Sequence, residues 1–213
     1  MKLYLKQLEL GPLQNFVYLI GSLETREVAV VDPAWDVPRI LEAARSDEMR
    51  ITTAIITHTH FDHVNGLQDL LKATDCKVVV HKKEAASVPI EKGNLHPVEG
   101  DQEITVGNLK LTFLHTPGHT PGSQCIRAAD RLIAGDTLFI GGCGRCDLPG
   151  GDPEALYRSL TRLSRLDEGL VLHPGHNYAP QPTSTIKEEK GRNPFLKASS
   201  EEEFLHLVGA AKK

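Results

Sequence analysis

Around residue 57 the chain passes abruptly from side chains that favour burial to side chains that resist it. Thr53-Ala54-Ile55-Ile56-Thr57 reads as a buried strand from its β-branched content. His58-Thr59-His60-Phe61-Asp62-His63 follows directly and sets four metal-capable side chains in six positions. Burying such groups without partners costs roughly 1–3 kcal/mol each, so a strand end carrying four of them needs something for them to share. A loop there lets His58 and His60 point one way and Asp62 and His63 another, which suits two adjacent metal sites. Neutral imidazoles mixed with carboxylates suit zinc, iron or manganese.

Three further donors sit at turns that follow apolar strands, each with glycine beside it. They are His119 in Thr116-Pro117-Gly118-His119, Asp136 in Ala134-Gly135-Asp136-Thr137 and His176 in His173-Pro174-Gly175-His176. Loops at strand ends carry ligands because the sheet behind them is rigid. Taken singly, each is a turn histidine or a capping aspartate. Four such segments in one chain are hard to explain that way. Of the other histidines, His115 and His173 are read as structural and near the ligand loops, and His206 as exposed. His81 and His96 match no ligand position.

Strands are expected at Phe16–Ile20, Glu27–Val31, Lys77–His81, Gln124–Arg127, Arg131–Ala134 and Gly169–Leu172, with a hairpin over Glu103–Leu114 that turns at Gly107-Asn108. A helix is expected over Pro38–Ala44 and another with Leu67, Leu70 and Leu71 inward. The next starts at Pro153, N-capped by Asp152, with Leu156, Leu160 and Leu163 on its inner face. Ser184–Lys190 and Ser200–Val208 read as helical, and residues 82–100 as a long loop. Sheets of this kind need both faces covered, so an α/β layered sandwich is the natural packing.

His58-x-His60-x-Asp62-His63, then His119, Asp136 and His176, resemble the metallo-β-lactamase superfamily of αββα hydrolases over about residues 15–196. The resemblance implies one four-layer domain over residues 1–213, with about 180–213 as a short C-terminal tail. It implies a first metal at His58, His60 and His119, and a second at Asp62, His63 and His176. Asp136 would bridge them, and Asp62 would also act catalytically. Two divalent ions are implied, zinc first, with iron or manganese as alternatives. Asp32 is similar to a family aspartate that supports the metal loop.

Within the superfamily, Gly135-Asp136-Thr137-Leu138-Phe139, Gly142-Cys143-Gly144-Arg145 and Gly175-His176-Asn177-Tyr178 resemble glyoxalase II, hydroxyacylglutathione hydrolase. Asn193-Pro194-Phe195-Leu196-Lys197 is similar to that family's tail. Arg145, Tyr178 and Lys197 fall at its glutathione contacts, and a guanidinium suits a carboxylate. The chain departs from full-length glyoxalase II between Tyr178 and Pro182, where a helical insertion and most of the glutathione-binding region are missing.

Two other relatives share the pattern. Persulfide dioxygenases are similar in length, in the HxHxDH loop and in the Gly-Cys-Gly-Arg turn, and would use a single Fe(II) at His58, His119 and Asp136, but Cys146 stands here in place of their usual threonine. The acyl-carrier hydrolases of bacterial polyketide clusters resemble Phe61-Asp62-His63-Val64-Asn65 and the run Cys146–Pro153. Hydrolysis of a thioester on a small thiol-linked substrate comes first, sulfur oxidation second and acyl-carrier thioesterase third. Retention of all seven ligand positions argues against a pure binding role.

Composition narrows the partners. A net charge of -4 offers no basic field for a phosphate backbone, so nucleic acid is not expected. No apolar run nears the roughly 18 residues that would span a bilayer. The N-terminus lacks an apolar signal core, so no membrane association and a cytoplasmic location are expected. Cys76, Cys125, Cys143 and Cys146 read as ordinary thiols of a reducing compartment, not as a redox pair or a disulfide framework. A homodimer through an exposed helix face is compatible with the sequence.

Overall fold

The computed structural model describes residues 2–90 and 94–210. Strand β1 (Leu3–Leu10) runs antiparallel to β2 (Asn15–Ser22), which pairs with β3 (Glu27–Val31). Parallel strands β4 (Arg50–Ile56), β5 (Lys77–His81) and β6 (Leu95–Val98) complete a six-stranded sheet in sequential order. Helices α1 (Val37–Ser46), α2 (Phe61–Val64) and α3 (Leu67–Ala73) lie in the connections around β4.

A second six-stranded sheet contains the hairpin β7 (Glu103–Val106) and β8 (Leu109–His115), then β9 (Gln124–Ala128) and β10 (Arg131–Gly135). A short ribbon of β11 (Leu138–Phe139) and β12 (Gly142–Cys143) precedes α4 (Pro153–Ser164). Strand β13 (Val171–Pro174) joins β10 in parallel, and β14 (Ser184–Thr185) closes the edge. Helices α5 (Ile186–Arg192), α6 (Pro194–Lys197) and α7 (Glu201–Leu207) end the described chain.

The period-2 alternation of the strands builds the layers. In β2, Val17 and Leu19 face α1 and α3, beside Val28 and Val30, Ala54 and Ile56, and Val78 and Val80. The residues between them, Tyr18, Ile20, Ala29, Ile55 and Val79, face the second sheet and meet Leu111, Phe113, Ile126 and Ile133. On the far side, Leu132, Ala134 and Leu172 pack against Leu156, Leu160 and Leu163 of α4 and Phe204 of α7. Three apolar layers between four layers of elements make an αββα sandwich, as expected. Each fully buried aliphatic or aromatic side chain contributes about 1.5–3 kcal/mol.

Three expectations need correction. Residues 82–100 hold β6, which pairs in parallel with β5, although Glu91, Lys92 and Gly93 lie outside the described residues. The last long strand is shifted from Gly169–Leu172 to Val171–Pro174 and is followed by β14. Strand β1 was not expected. It is an edge strand whose Leu3–Gln7 are half-buried, so its alternation is too weak to read. By contrast, the α4 cap is as expected, with the Asp152 carboxylate accepting from the Ala155 N–H at 2.9 Å.

Candidate metal centre

The ligand loops gather at one edge of the sandwich. His58, His60 and His119 offer ring nitrogens that all lie within 4.8 Å of one another, and so do the donor atoms of Asp62, His63 and His176. Ligands held about 2.1 Å from a tetrahedral ion stand roughly 3.4 Å apart. In the second group, His63 Nε2 is 3.2 Å from His176 Nε2, and each is 3.5 Å from Asp62 Oδ2. Asp136 reaches both groups: its carboxylate is 3.4 Å from His63 Nε2, 3.3 Å from His176 Nε2 and 3.6 Å from His119 Nε2. Thus all seven sequence-read donors converge, with Asp136 between two half-sites.

Hydrogen bonds on the far side of each ring decide which nitrogen faces inward. His119 Nδ1–H donates to the Arg145 carbonyl at 2.6 Å, and His176 Nδ1–H to the Leu13 carbonyl at 2.8 Å. His63 Nδ1 lies 3.0 Å from Asp32 Oδ2. Asp32 also accepts from the Thr57 N–H at 2.7 Å and from Thr57 Oγ1 at 2.6 Å. The single hydroxyl proton of Thr57 is therefore spent on Asp32. Its oxygen can only accept from His58 Nδ1, 3.0 Å away, which leaves the His58 Nε2 lone pair free. Asp32 is itself taken up by these three bonds. It stands behind His63 and does not compete as a ligand, although it lies within ligand distance of His58 and His63.

The electrostatics of the two half-sites differ. Burial pushes His58 well below the usual histidine range, with the neighbouring His63 adding to it, and burial followed by His119 lowers His60. Burial opposes the charged form of His63 as well, yet Asp136 and then Asp32 outweigh it and hold the ring well above its ordinary value. His176 is raised against burial by its contact with Asp136. The surrounding imidazoles in turn hold Asp136 well below the carboxylate range despite its burial. Among the described residues, the buried His58 Nε2, His119 Nε2 and Asp136 Oδ1 have no hydrogen-bond partner. Orphaned acceptors of this kind are costly unless a cation satisfies them, so the residues present fit a divalent metal.

Several supporting residues are not legible as donors in the sequence. Asn15 Nδ2 donates to Asp62 Oδ2 at 2.9 Å and to the Asp62 carbonyl at 3.1 Å. Its own Oδ1 accepts from Trp35 Nε1 at 2.7 Å, which fixes the amide orientation. Trp35 holds a left-handed backbone at φ 61°, as does Asp32 at 52°. Such strain costs about 1–3 kcal/mol per residue and is retained where the side chain is held by specific bonds. The only sequence cue for Asn15 is a polar residue at the head of an apolar run. Gly175 marks another tight approach, since a Cβ there would lie 2.2 Å from Asp136 Oδ1.

The three residues read as substrate contacts are differently placed. Arg145 is exposed and forms a two-pronged pair with Asp147, both bonds at 2.9 Å. Tyr178 is 60% exposed and stacks on His176 at 4.7 Å between ring centres. Lys197 is exposed on α6. Arg145 also borders a cavity of about 250 Å³ lined by Cys143, Cys146, Phe195 and Leu207 among others. Burial pushes the Cys143 thiol up to about 12, with Cys146 adding to it, so it does not carry the thiolate of a redox pair. All four cysteines are free. Of the histidines set aside, His115 Nε2 lies 3.0 Å from the Pro121 carbonyl. His173 is buried without a hydrogen-bond partner among the described residues, and His206 is exposed.

An αββα sandwich whose sheet edge gathers His and Asp clusters suited to divalent ions defines a metal-dependent enzyme scaffold. Residues 10–176 match the metallo-beta-lactamase superfamily, and the chain belongs to it. It is 31% identical over 192 residues to the probable polyketide biosynthesis zinc-dependent hydrolase PksB of Bacillus subtilis, covering 90% of this chain and 85% of that protein. It is 34% identical over 202 residues to human mitochondrial persulfide dioxygenase ETHE1, covering 92% and 76%. It is 38% identical over 166 residues to a hydroxyacylglutathione hydrolase of Anaeromyxobacter dehalogenans, covering 78% and 62%. The crystal structure of ETHE1 from Myxococcus xanthus superposes with a TM-score of 0.89 at 34% identity, covering 97% and 90%. Among the described residues no helix is long and apolar enough to cross a membrane.

Proposed function

We propose that this protein is a metal-dependent thioester hydrolase acting on a small acyl-thiol of the S-acylglutathione kind. The observation that carries this reading is the second half-site. His63, His176 and Asp62 stand 3.2–3.5 Å apart around Asp136, at the spacing a second ion requires. A mononuclear dioxygenase would use His58, His119 and Asp136 out of the same donor set, so the number of ions bound separates the two readings. The similarity to zinc-dependent and hydroxyacylglutathione hydrolases supports the same reading.

In this reading His58, His60 and His119 hold one divalent ion, Asp62, His63 and His176 a second, and Asp136 lies between them, with zinc preferred. Such ions supply Lewis acidity, bringing the pKa of a water towards about 7 and polarising an acyl oxygen. In the same reading the Asp62 carboxylate, which accepts from Asn15 Nδ2, orients the attacking water or takes its proton. A thiolate is a good leaving group and needs little acid assistance. Arg145, Tyr178 and Lys197 are the candidate contacts to the thiol carrier. The guanidinium of Arg145 must exchange Asp147 for a substrate carboxylate, at little cost in so exposed a pair. Residues 1–213 are read as one domain, with no nucleic-acid or membrane partner and with homodimerisation open. A reducing, cytoplasmic setting is part of the same proposal, from the four cysteines being too few for a disulfide framework in a chain of 213 residues.

Persulfide dioxygenation is the second reading, favoured by the likeness to the Myxococcus xanthus ETHE1 structure. Metal analysis paired with two assays separates them. We expect two ions per chain and hydrolysis of S-lactoylglutathione without oxygen uptake. One iron per chain, with oxygen consumed on glutathione persulfide, would overturn the hydrolase in favour of the dioxygenase.

A further inference from the structure

Glu84 is a buried carboxylate that neither the ligand set nor the proposed chemistry uses. It lies in the turn that leaves β5, three residues past His81 and outside every motif in the sequence. One oxygen, Oε2, accepts from the Thr59 N–H at 3.2 Å and from the Thr59 hydroxyl. The other, Oε1, accepts from the Gly122 N–H at 2.9 Å. Thr59 stands between the ligands His58 and His60, and Gly122 closes the Thr116–Gly122 turn that carries His119.

These bonds join two loops that come from different sheets. The first loop leaves β4, in one sheet, and the second leaves β8, in the other. At its root the first loop is tied across by Gln124, whose Nε2 donates to the Ile56 carbonyl at 2.8 Å. Beyond Thr57 the tie passes to Glu84. The same turn is braced against the second loop by His81, which stacks on His115 at 4.0 Å and 6°. Gly122 permits the contact, because a Cβ there would lie 2.5 Å from Glu84 Cγ.

We infer that Glu84 is a positioning residue for the first half-site: its carboxylate clasps the His58–His60 loop to the His119 turn and so sets the spacing of the three imidazoles. A carboxylate suits this task because all its partners are donors. An amide in its place turns an NH2 towards either Thr59 or Gly122 and breaks one side of the clasp. Partners behind metal ligands are typically worth about 10–100-fold in metal affinity. The inference rests on the binding of ions by this centre and not on which substrate is cleaved.

Zinc competition against a chromophoric chelator tests it, run on the full chain with Glu84→Gln and with Thr59→Val, alongside thermal unfolding of the metal-free proteins. We expect Glu84→Gln to weaken one of two zinc sites about 10–100-fold and to leave the other within about threefold. Thr59→Val, which removes only the hydroxyl arm, should weaken the same site by a smaller factor. In cobalt-loaded Glu84→Gln the visible absorption of that site should shift. Wild-type zinc affinity at both sites in Glu84→Gln, or equal weakening of the two, overturns the clasp. Should Glu84→Gln not fold, Thr59→Val decides, and unchanged affinity there overturns it. Failure of the wild type to bind zinc at all would instead strike the metal centre itself, so the two failures are distinguishable.

Discussion

The two halves of the centre share Asp136 but solve the problem of buried charge in opposite ways. The Asp62, His63 and His176 half is internally compensated: two imidazoles raised above their ordinary range face carboxylates at 3.3–3.5 Å. The His58, His60 and His119 half has three imidazoles and meets Asp136 through Oδ2, 3.6 Å from His119, the oxygen that also lies 3.3 Å from His176. Burial keeps His58 and His60 neutral there, and the Nε2 atoms of His58 and His119 are left without partners. One half brings its own carboxylate to its imidazoles, while the other offers three imidazoles to the shared Asp136. Their scaffolds differ too. The second half is anchored by residues at the start of the chain, Leu13 and Asn15, whereas the first depends on the Arg145 carbonyl, Thr57 and Glu84.

The largest expected effect comes from removing what the halves share. Asp136→Ala should reduce thioester turnover by about a thousandfold or more and leave fewer than two zinc ions per chain, while circular dichroism shows the fold retained. Turnover near that of the wild type would mean that the halves do not need a common ligand. A selective break comes next. Asn15→Leu leaves Asp62 without its donor, and we expect zinc affinity at one site to fall about 10–100-fold while the site sensitive to Glu84→Gln is unaffected. Loss at the same site in both variants would erase the distinction between the two scaffolds.

The smallest effect concerns the strand that delivers His176. His173, on β13, is buried against Tyr18 at 5.6 Å, and burial followed by Arg131 lowers it to about 4. Below its ordinary value of about 6.5, the unfolded chain binds a proton that the folded chain refuses until about pH 4. Stability contributed by the neutral ring is therefore full above pH 6.5 and lost on acidification, by up to about 3 kcal/mol. In metal-free protein, the drop in melting temperature between pH 7 and pH 5 should shrink by roughly 5 °C in His173→Leu. An unchanged drop would remove His173 from the acid response and leave it to His81, also lowered to about 4, mainly by burial.

Local chemistry made much of this readable in advance. The strand before His58, the hairpin at Gly107-Asn108 and the cap at Asp152 follow from short-range rules: side-chain alternation, turn residues and backbone donors within three residues. Strand β1 and strand β6 escaped because an edge strand buries too little for its pattern to stand out, and because β6 exists as a strand only through its neighbour β5. Asn15, Trp35 and Glu84 escaped for a related reason. An amide, an indole and a carboxylate each have many ordinary roles, and nothing near them in the chain ties them to the metal loops.

The chain order by itself thus settled which atoms are available: seven imidazole and carboxylate donors, each at a strand end beside glycine or in the His58–His63 loop. Donor type and strand-end position are properties of a few consecutive residues. Only the packing of the two sheets decided which ring nitrogen of His58, His63, His119 and His176 faces the centre, that Asp136 touches both halves, and that Glu84 lies between two ligand loops. Those outcomes depend on distances of a few ångströms between residues up to 163 positions apart, and contacts of that kind form only when the apolar layers close.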